Sequence, residues 1–228
     1  VSNYNITNQT STTADISAKA LTATASASNK TYNATNSASV TLTLSGLIGS
    51  ETLGSTNTST FNNKNVGTGK TVTVNSITLA NGSNGGLAAN YSISTGQTTT
   101  ANITAKSLTV SGITASNKTY DGSTNATLTG TAVYSGLVSG DTFDGTYIGA
   151  FSDKNAGVGK TVTITSSYSG ADVSNYSVTD QSSTTANITA KSLTVSGITA
   201  SDKIYDGSTS STLTGTAVYS GLVSGDIF

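Results

Sequence analysis

The feature of this sequence that most constrains its fold is an internal repeat of about 85–90 residues. The segment at 103–121 returns almost unchanged at 188–206, and a more divergent copy begins at Ile16. A unit of this length suits a small domain with its own core, whereas solenoid repeats are only about 20–45 residues long. The repeat therefore predicts separate domains in tandem.

Alignment of the copies divides the chain into four parts. The predicted parts are the C-terminal strand or strands of a preceding repeat (1–18), β repeat domain 1 (19–105), β repeat domain 2 (106–190) and the N-terminal part of a further repeat (191–228). Because the outer parts each match only a portion of the repeat, we expect the chain to be a segment of a longer protein.

Within each repeat, apolar and polar residues alternate with a period of two, which is typical of half-buried strands. Val162 and Ile164, for example, alternate with threonines that share the opposite face. In the second repeat the pattern predicts strands near 106–113, 126–135, 144–151, 159–168, 175–180 and 184–189. We therefore predict an all-β chain of tandem small β-sandwich-like (or β-grasp-like) domains, arranged end to end in an elongated rod.

The joint between the repeats carries a change of parity. Ala101 and Ile103 occupy odd positions, whereas Leu108 and Val110 occupy even ones. A single regular strand cannot present both pairs on one face, so the sequence predicts a bulge or a change of sheet across 104–107.

Composition argues against catalysis. The chain has no His and no Cys, and only 9% of its residues are charged. The usual general base, the thiolate nucleophile and most transition-metal ligands are therefore missing. We predict that the protein is not an enzyme, with no catalytic, cofactor-binding or metal residues and no cofactor. The net charge of −1 gives no electrostatic attraction to nucleic acid, so we expect no nucleic-acid partner. We also expect no membrane insertion in this segment.

Several short motifs have a functional and a structural interpretation. G-V-G-K-T at 157–161 resembles the end of a phosphate-binding loop, but Lys154 stands where that loop needs its first glycine and a strand pattern follows. A turn that enters a strand is the preferred interpretation. Asp141, Asp144 and Asp153 could hold Ca²⁺, but their spacing matches no known calcium loop, and solvated turn carboxylates are the preferred interpretation.

Two further motifs have a functional interpretation that the sequence does not favour. The dipeptides Lys64-Asn65 and Lys154-Asn155 suggest an isopeptide crosslink, but that bond needs a buried carboxylate beside both groups, and these dipeptides lie in a glycine-rich turn. Pairs of threonines such as Thr161 and Thr163 suggest an ice-binding face. The alternation of a strand, which places its polar residues on the solvent side, already accounts for these pairs.

The recurring motifs also resemble a known family. K-T-Y-D-G at 118–122, G-L-V-S-G-D at 136–141 and K-N-A-G at 154–157 resemble the YDG-type domain, which recurs in large bacterial surface exoproteins of the filamentous haemagglutinin type. The first repeat departs from the pattern, with Asn33-Ala34 in place of Asp-Gly and Ile48-Gly49-Ser50-Glu51 in place of V-S-G-D. The resemblance implies secretion, tandem arrays and a stalk or adhesive fibre at the bacterial cell surface.

The expected function is therefore a structural stalk segment of a secreted, adhesin-type surface protein, in contact with neighbouring repeats of its own chain. A self-assembling extracellular filament, joined by strand or edge pairing, is one alternative. A glycan- or protein-binding adhesive module that recognises a host or surface ligand is the second.

Overall fold

The computed structural model describes residues 3–227, which contain almost no helix. Two three-residue 3₁₀ helices, Ala88–Asn90 and Val173–Asn175, are the helical elements of this part of the chain. No helix among residues 3–227 has the length and apolar character needed to cross a membrane. The chain divides into two compact units, Val1–Lys106 and Ser107–Phe228. The predicted all-β class is thus confirmed.

The first unit contains two sheets. Its strands are β1 (Lys19–Ala27), β2 (Lys30–Thr31), β3 (Ser37–Ala38), β4 (Val40–Ser45), β5 (Leu53–Phe61), β6 (Gly67–Asn81), β7 (Tyr91–Ile93) and β8 (Thr98–Thr104). A three-stranded sheet has the order β4-β1-β7, and a five-stranded sheet has the order β2-β8-β6-β5-β3.

The second unit repeats this plan and continues beyond it. Its first ten strands are β9 (Lys106–Ser111), β10 (Thr114–Ala115), β11 (Lys118–Thr119), β12 (Asn125–Ala126), β13 (Leu128–Thr129), β14 (Val133–Ser135), β15 (Asp144–Phe151), β16 (Gly157–Ser169), β17 (Tyr176–Thr179) and β18 (Ser183–Thr189). The sheet orders β14-β9-β17 and β11-β18-β16-β15-β12 correspond strand for strand to those of the first unit.

Four short strands follow in the partial repeat. They are β19 (Thr194–Ser196), β20 (Thr199–Ala200), β21 (Leu213–Thr214) and β22 (Val218–Ser220), paired antiparallel as β19 with β22 and β20 with β21. All four are largely exposed.

The core follows the predicted alternation. In β16, Val162 and Ile164 are buried while Thr161, Thr163 and Thr165 are exposed. Residues from three strands of the five-stranded sheet form one buried cluster, made of Phe151, Val162, Ala186 and Ile188. Burial of such apolar side chains supplies the main stabilisation of a small domain.

One predicted strand is wrong. The strand expected at 126–135 is divided into β12, β13 and β14, which belong to three different sheets. Gly130 lies between the last two with a φ of +84°, outside the extended region. A Cβ atom at Gly130 would lie 2.4 Å from the Gly112 carbonyl oxygen, so the chain turns here where only glycine fits.

The parity change at the joint is confirmed as a change of sheet. Strand β8 ends at Thr104 in the five-stranded sheet of the first unit, and β9 begins at Lys106 in a three-stranded sheet. The backbone therefore leaves one sheet and enters another within two residues.

The strand or strands predicted within 1–18 are not formed in the described residues 3–18. The matching residues of the second repeat form β17 and β18, which pair with β9 and β16 respectively. Residues 3–18 pair with no strand of the described part of the chain, and a backbone without a partner strand leaves its polar groups to water.

Candidate functional site

The Y-D-G signature forms a turn that is held by a lysine. Lys118 Nζ donates hydrogen bonds to Asp121 Oδ1 at 2.8 Å, to the carbonyl oxygen of Ser123 at 2.8 Å and to that of Asn125 at 3.0 Å. The Ser123 N–H also donates to Asp121 Oδ1, at 2.9 Å. The ammonium lies 5.4 Å from the ring centroid of the buried Phe151. The lysine thus joins the turn to the core.

The hydrogen bond from the lysine to the turn recurs in the other repeats. Lys30 Nζ donates to Asn33 Oδ1 at 3.0 Å and to the Thr35 carbonyl oxygen at 2.6 Å, and it lies 5.5 Å from the Phe61 ring centroid. In the partial repeat, Lys203 Nζ donates to Asp206 Oδ1 at 2.8 Å. Asparagine in the first repeat therefore accepts the same lysine hydrogen bond as aspartate in the others.

The carboxylate in this turn is acidic for a physical reason. The hydrogen bond from Lys118, reinforced by the Ser123 backbone N–H, lowers the pKa of Asp121 to about 2. The carboxylate therefore stays charged in moderately acidic solution, where an ordinary aspartate would begin to take up a proton.

The K-N-A-G-V-G-K-T run is a turn that enters a strand, as predicted. Strand β16 begins at Gly157, and no helix follows. Lys160 Nζ donates to Asp153 Oδ1 at 2.6 Å, and the Gly159 N–H donates to Asn187 Oδ1 at 2.7 Å. In the first repeat, Lys70 Nζ donates to Asn63 Oδ1 at 2.6 Å in the same way. These groups hold the turn against strand β18.

The calcium and isopeptide interpretations gain no support from this geometry. The part of the chain that the structure describes has no group of three or more His, Cys, Asp or Glu residues placed to hold a metal ion. Asp153 accepts from Lys160, while Lys154 and Asn155 are both exposed. An isopeptide bond needs a buried site for its lysine and asparagine, and this turn does not provide one.

A tyrosine holds the acidic loop of each complete repeat. The Tyr176 hydroxyl donates to Asp141 Oδ2 at 2.5 Å and accepts from the Val138 N–H at 3.0 Å. In the first repeat, the Tyr91 hydroxyl donates to Glu51 and accepts from the Ile48 N–H at 3.1 Å. The bond to Glu51 is also the main cause that raises the pKa of Tyr91. The divergent loop I-G-S-E therefore keeps the geometry of V-S-G-D.

The second repeat also contains an aromatic cluster that sequence reasoning missed. The Phe143 ring lies 5.1 Å from those of Tyr134 and Tyr168 and 5.8 Å from that of Tyr176. Tyr147 is the fifth member of the cluster, and its hydroxyl donates to the Tyr134 hydroxyl. Desolvation, together with this hydrogen bond, raises the pKa of Tyr147. The five residues are spread over 134–176, so only the strand pairing brings them together.

Within the second unit, the Y-D-G turn also meets the partial repeat. The Tyr120 hydroxyl donates to Asp226 Oδ2 at 2.7 Å, and Lys154 Nζ lies 3.3 Å from Asp226 Oδ1. These three side chains line a cleft of about 420 Å³ together with Leu222 and Val223. The hydrogen bond to Asp226 raises the pKa values of Tyr120 and Lys154, while Tyr120 and then Lys154 lower the pKa of Asp226.

The motifs and the repeated sheets agree with a comparison against family models. The YDG domain matches twice, at residues 17–101 and 104–186. These matches cover most of the chain, and the protein belongs to the YDG domain family. A search of the curated proteins found no match. A search of the solved structures found none either.

Proposed function

We propose that this chain is a structural stalk or fibre segment of a large secreted bacterial surface protein of the filamentous haemagglutinin type. Small β-sandwich-like YDG domains would follow one another end to end in an elongated rod. The segment would act as a mechanical spacer without catalysis, in contact with neighbouring repeats of its own chain, and its location would be extracellular, at the bacterial cell surface.

The observation that carries this proposal is the parallel pairing of early and late strands within each repeat. Lys118 and Thr119 of β11 pair with Ile188 and Thr189 of β18. In the first repeat, β2 pairs with β8 and β1 with β7 in the same sense. Tension applied to the two ends of such a domain shears parallel strands, so that the hydrogen bonds between them resist together. This is the arrangement that a mechanical spacer needs.

The signature residues support the same function. The lysine of K-T-Y-D-G, the second lysine of the K-N-A-G-V-G-K-T run and the tyrosine that faces the acidic loop all fix turns by hydrogen bonds. Threonines such as Thr161 and Thr163 give the exposed face of β16 a polar, uncharged surface. Such a surface is compatible with an exposed extracellular segment that carries few charges.

A self-assembling filament joined through sheet edges is less well supported. The outer strands of the five-stranded sheets, β2, β3, β11 and β12, are each only two residues long. Short edges of this kind offer little backbone for pairing with another chain, although β4, an outer strand of the three-stranded sheet, has six residues.

The adhesive alternative has one specific observation in its favour. Tyr134, Tyr147 and Tyr168 of the aromatic cluster are half-buried, and aromatic side chains with polar tips are common at binding surfaces. Addition of soluble glycans to the full chain, followed by tyrosine fluorescence, tests this alternative. A saturable change that is lost in Tyr147→Ala would favour it.

Light scattering after size exclusion, combined with small-angle X-ray scattering, tests the stalk proposal over a wide range of protein concentration. A monomeric and elongated particle at every concentration agrees with the stalk. A ladder of oligomers that grows with concentration would favour the filament instead.

A further inference from the structure

We infer that the Y-D-G turn of the second repeat and its turn at Lys154-Asn155 together form a docking surface for the acidic loop of the partial repeat that follows. In the second unit the surface consists of Tyr120, Gly122 and Lys154. The occupant is the loop G-L-V-S-G-D at 221–226 of the partial repeat.

The polar half of this docking surface is complementary in charge and in hydrogen bonding. Tyr120 donates to one carboxylate oxygen of Asp226 at 2.7 Å, and Lys154 approaches the other at 3.3 Å. Only 22% of the Asp226 side chain is exposed, compared with 48% for Lys154. The carboxylate is thus largely removed from water while both of its oxygens have donors, which is the requirement for placing a charged group at a contact.

The apolar half depends on the glycine of Y-D-G. A Cβ atom at Gly122 would lie 2.9 Å from Val223 Cγ1, so the loop approaches the turn more closely than a side chain allows. Gly207 occupies the same place in the Y-D-G of the partial repeat, with a similar φ (+74° against +78°), but nothing lies within 4 Å of its added Cβ. Both glycines thus have the positive φ that the turn requires, but only Gly122 also lies where a side chain would collide with the docked loop.

The loop is also shaped by its own repeat. In the complete second repeat, Tyr176 holds the carboxylate of Asp141 and the Val138 N–H, which are the counterparts of Asp226 and Val223. A carboxylate can accept several hydrogen bonds, so Asp226 can accept from Tyr120 and Lys154 at the same time. The occupant that this chemistry selects is a YDG repeat whose loop ends in a carboxylate.

The mechanical importance of the docking surface rests on the proposed stalk function, because a stalk needs stiff joints, but the docking itself does not. Hydrogen–deuterium exchange on the full chain measures it directly. We expect Tyr120→Phe to accelerate exchange at 218–226 about fivefold, as the loss of one hydrogen bond would do. Exchange in β15 and β16 should be unchanged. The matched control is Tyr205→Phe, whose side chain is 92% exposed.

The glycine pair gives a second, independent arm of the test. Gly122→Ala should accelerate exchange at 218–226 more than Gly207→Ala does, although both variants place alanine at a positive φ. Equal exchange at 218–226 in the wild type, Tyr120→Phe and Gly122→Ala would overturn the docking surface. That outcome would leave the stalk function to be decided by scattering and by force measurements.

Discussion

Lys118 Nζ and Asp121 Oδ1 lie 2.8 Å apart across the Y-D-G turn, and this ion pair joins a largely buried lysine to a carboxylate that is 53% exposed. The lysine side chain is 17% exposed, and its ammonium faces the ring of Phe151. The turn that names the family is therefore closed by a residue that precedes it by two positions.

The first prediction concerns the lysine itself. Lys118→Met should lower the free energy of unfolding of the second unit by about 2–3 kcal/mol, because the Ser123 and Asn125 carbonyl oxygens lose a charged donor. Denaturant unfolding followed by tyrosine fluorescence measures the loss. Lys203→Met removes the same clamp from the mostly exposed partial repeat and should cost less than about 1 kcal/mol. Equal losses in both variants would contradict a role in the core.

The second prediction concerns acid. The pKa of Asp121 is about 2 in the folded protein, below its unfolded value, so its stabilising effect is present above about pH 4 and is lost as the pH falls towards 2. Asp121→Asn should reduce the slope of unfolding free energy against pH in this window, because asparagine serves at the equivalent Asn33 without a charge. Some slope should remain, since the pKa values of Asp153, Asp206 and Asp226 are also lowered. An unchanged slope would contradict the assignment.

The third prediction uses two valines on one strand. Val162 is 0% exposed and Val158 is 89% exposed, although both lie on β16. Val162→Ala should destabilise the second unit by about 2–3 kcal/mol through lost burial and a residual cavity. Val158→Ala should change the unfolding free energy by less than about 0.5 kcal/mol. A similar effect of both substitutions would show that the strand register is wrong.

The fourth prediction concerns the divergent turn of the first repeat. Ala34 has a φ of +61°, where the other copies have Gly122 and Gly207. Ala34→Gly should raise the midpoint of thermal unfolding, because relief of a left-handed alanine is worth about 1 kcal/mol. Ala89→Gly, at an exposed position without a positive φ, should lower it. A lower midpoint for Ala34→Gly would contradict the strain.

Period-two alternation was sufficient to predict the class of the fold and its long strands. The prediction of 144–151 coincides with β15, and 159–168 lies within β16. Alternation gave the wrong strand at 126–135 because a hydrophobic pattern does not reveal the positive φ at Gly130. The chain turns at this glycine, so one strand pairing ends there and another begins. It also cannot specify partners, so the parallel pairing of β11 with β18 appears only in the structure.

Less of the candidate site than of the fold could be predicted from the sequence. The motifs K-T-Y-D-G, G-L-V-S-G-D and K-N-A-G could be recognised as turns, but the contact of Tyr120 with Asp226 joins residues 106 positions apart. A repeated sequence does not indicate such a contact, because each copy contains all of the motifs and nothing in the pattern shows that motifs of different copies touch. The difference between Gly122 and Gly207, which have identical neighbours in sequence on both sides, is visible only from their surroundings.

Single-molecule force extension of the full chain measures whether YDG repeats unfold as independent mechanical units. We expect two main unfolding events, one for each complete repeat, and each should release about 85 residues, or roughly 30 nm of contour length. The shearing of β11 against β18 should make these events distinct peaks. A single featureless extension, without a peak for each repeat, would contradict independent mechanical units.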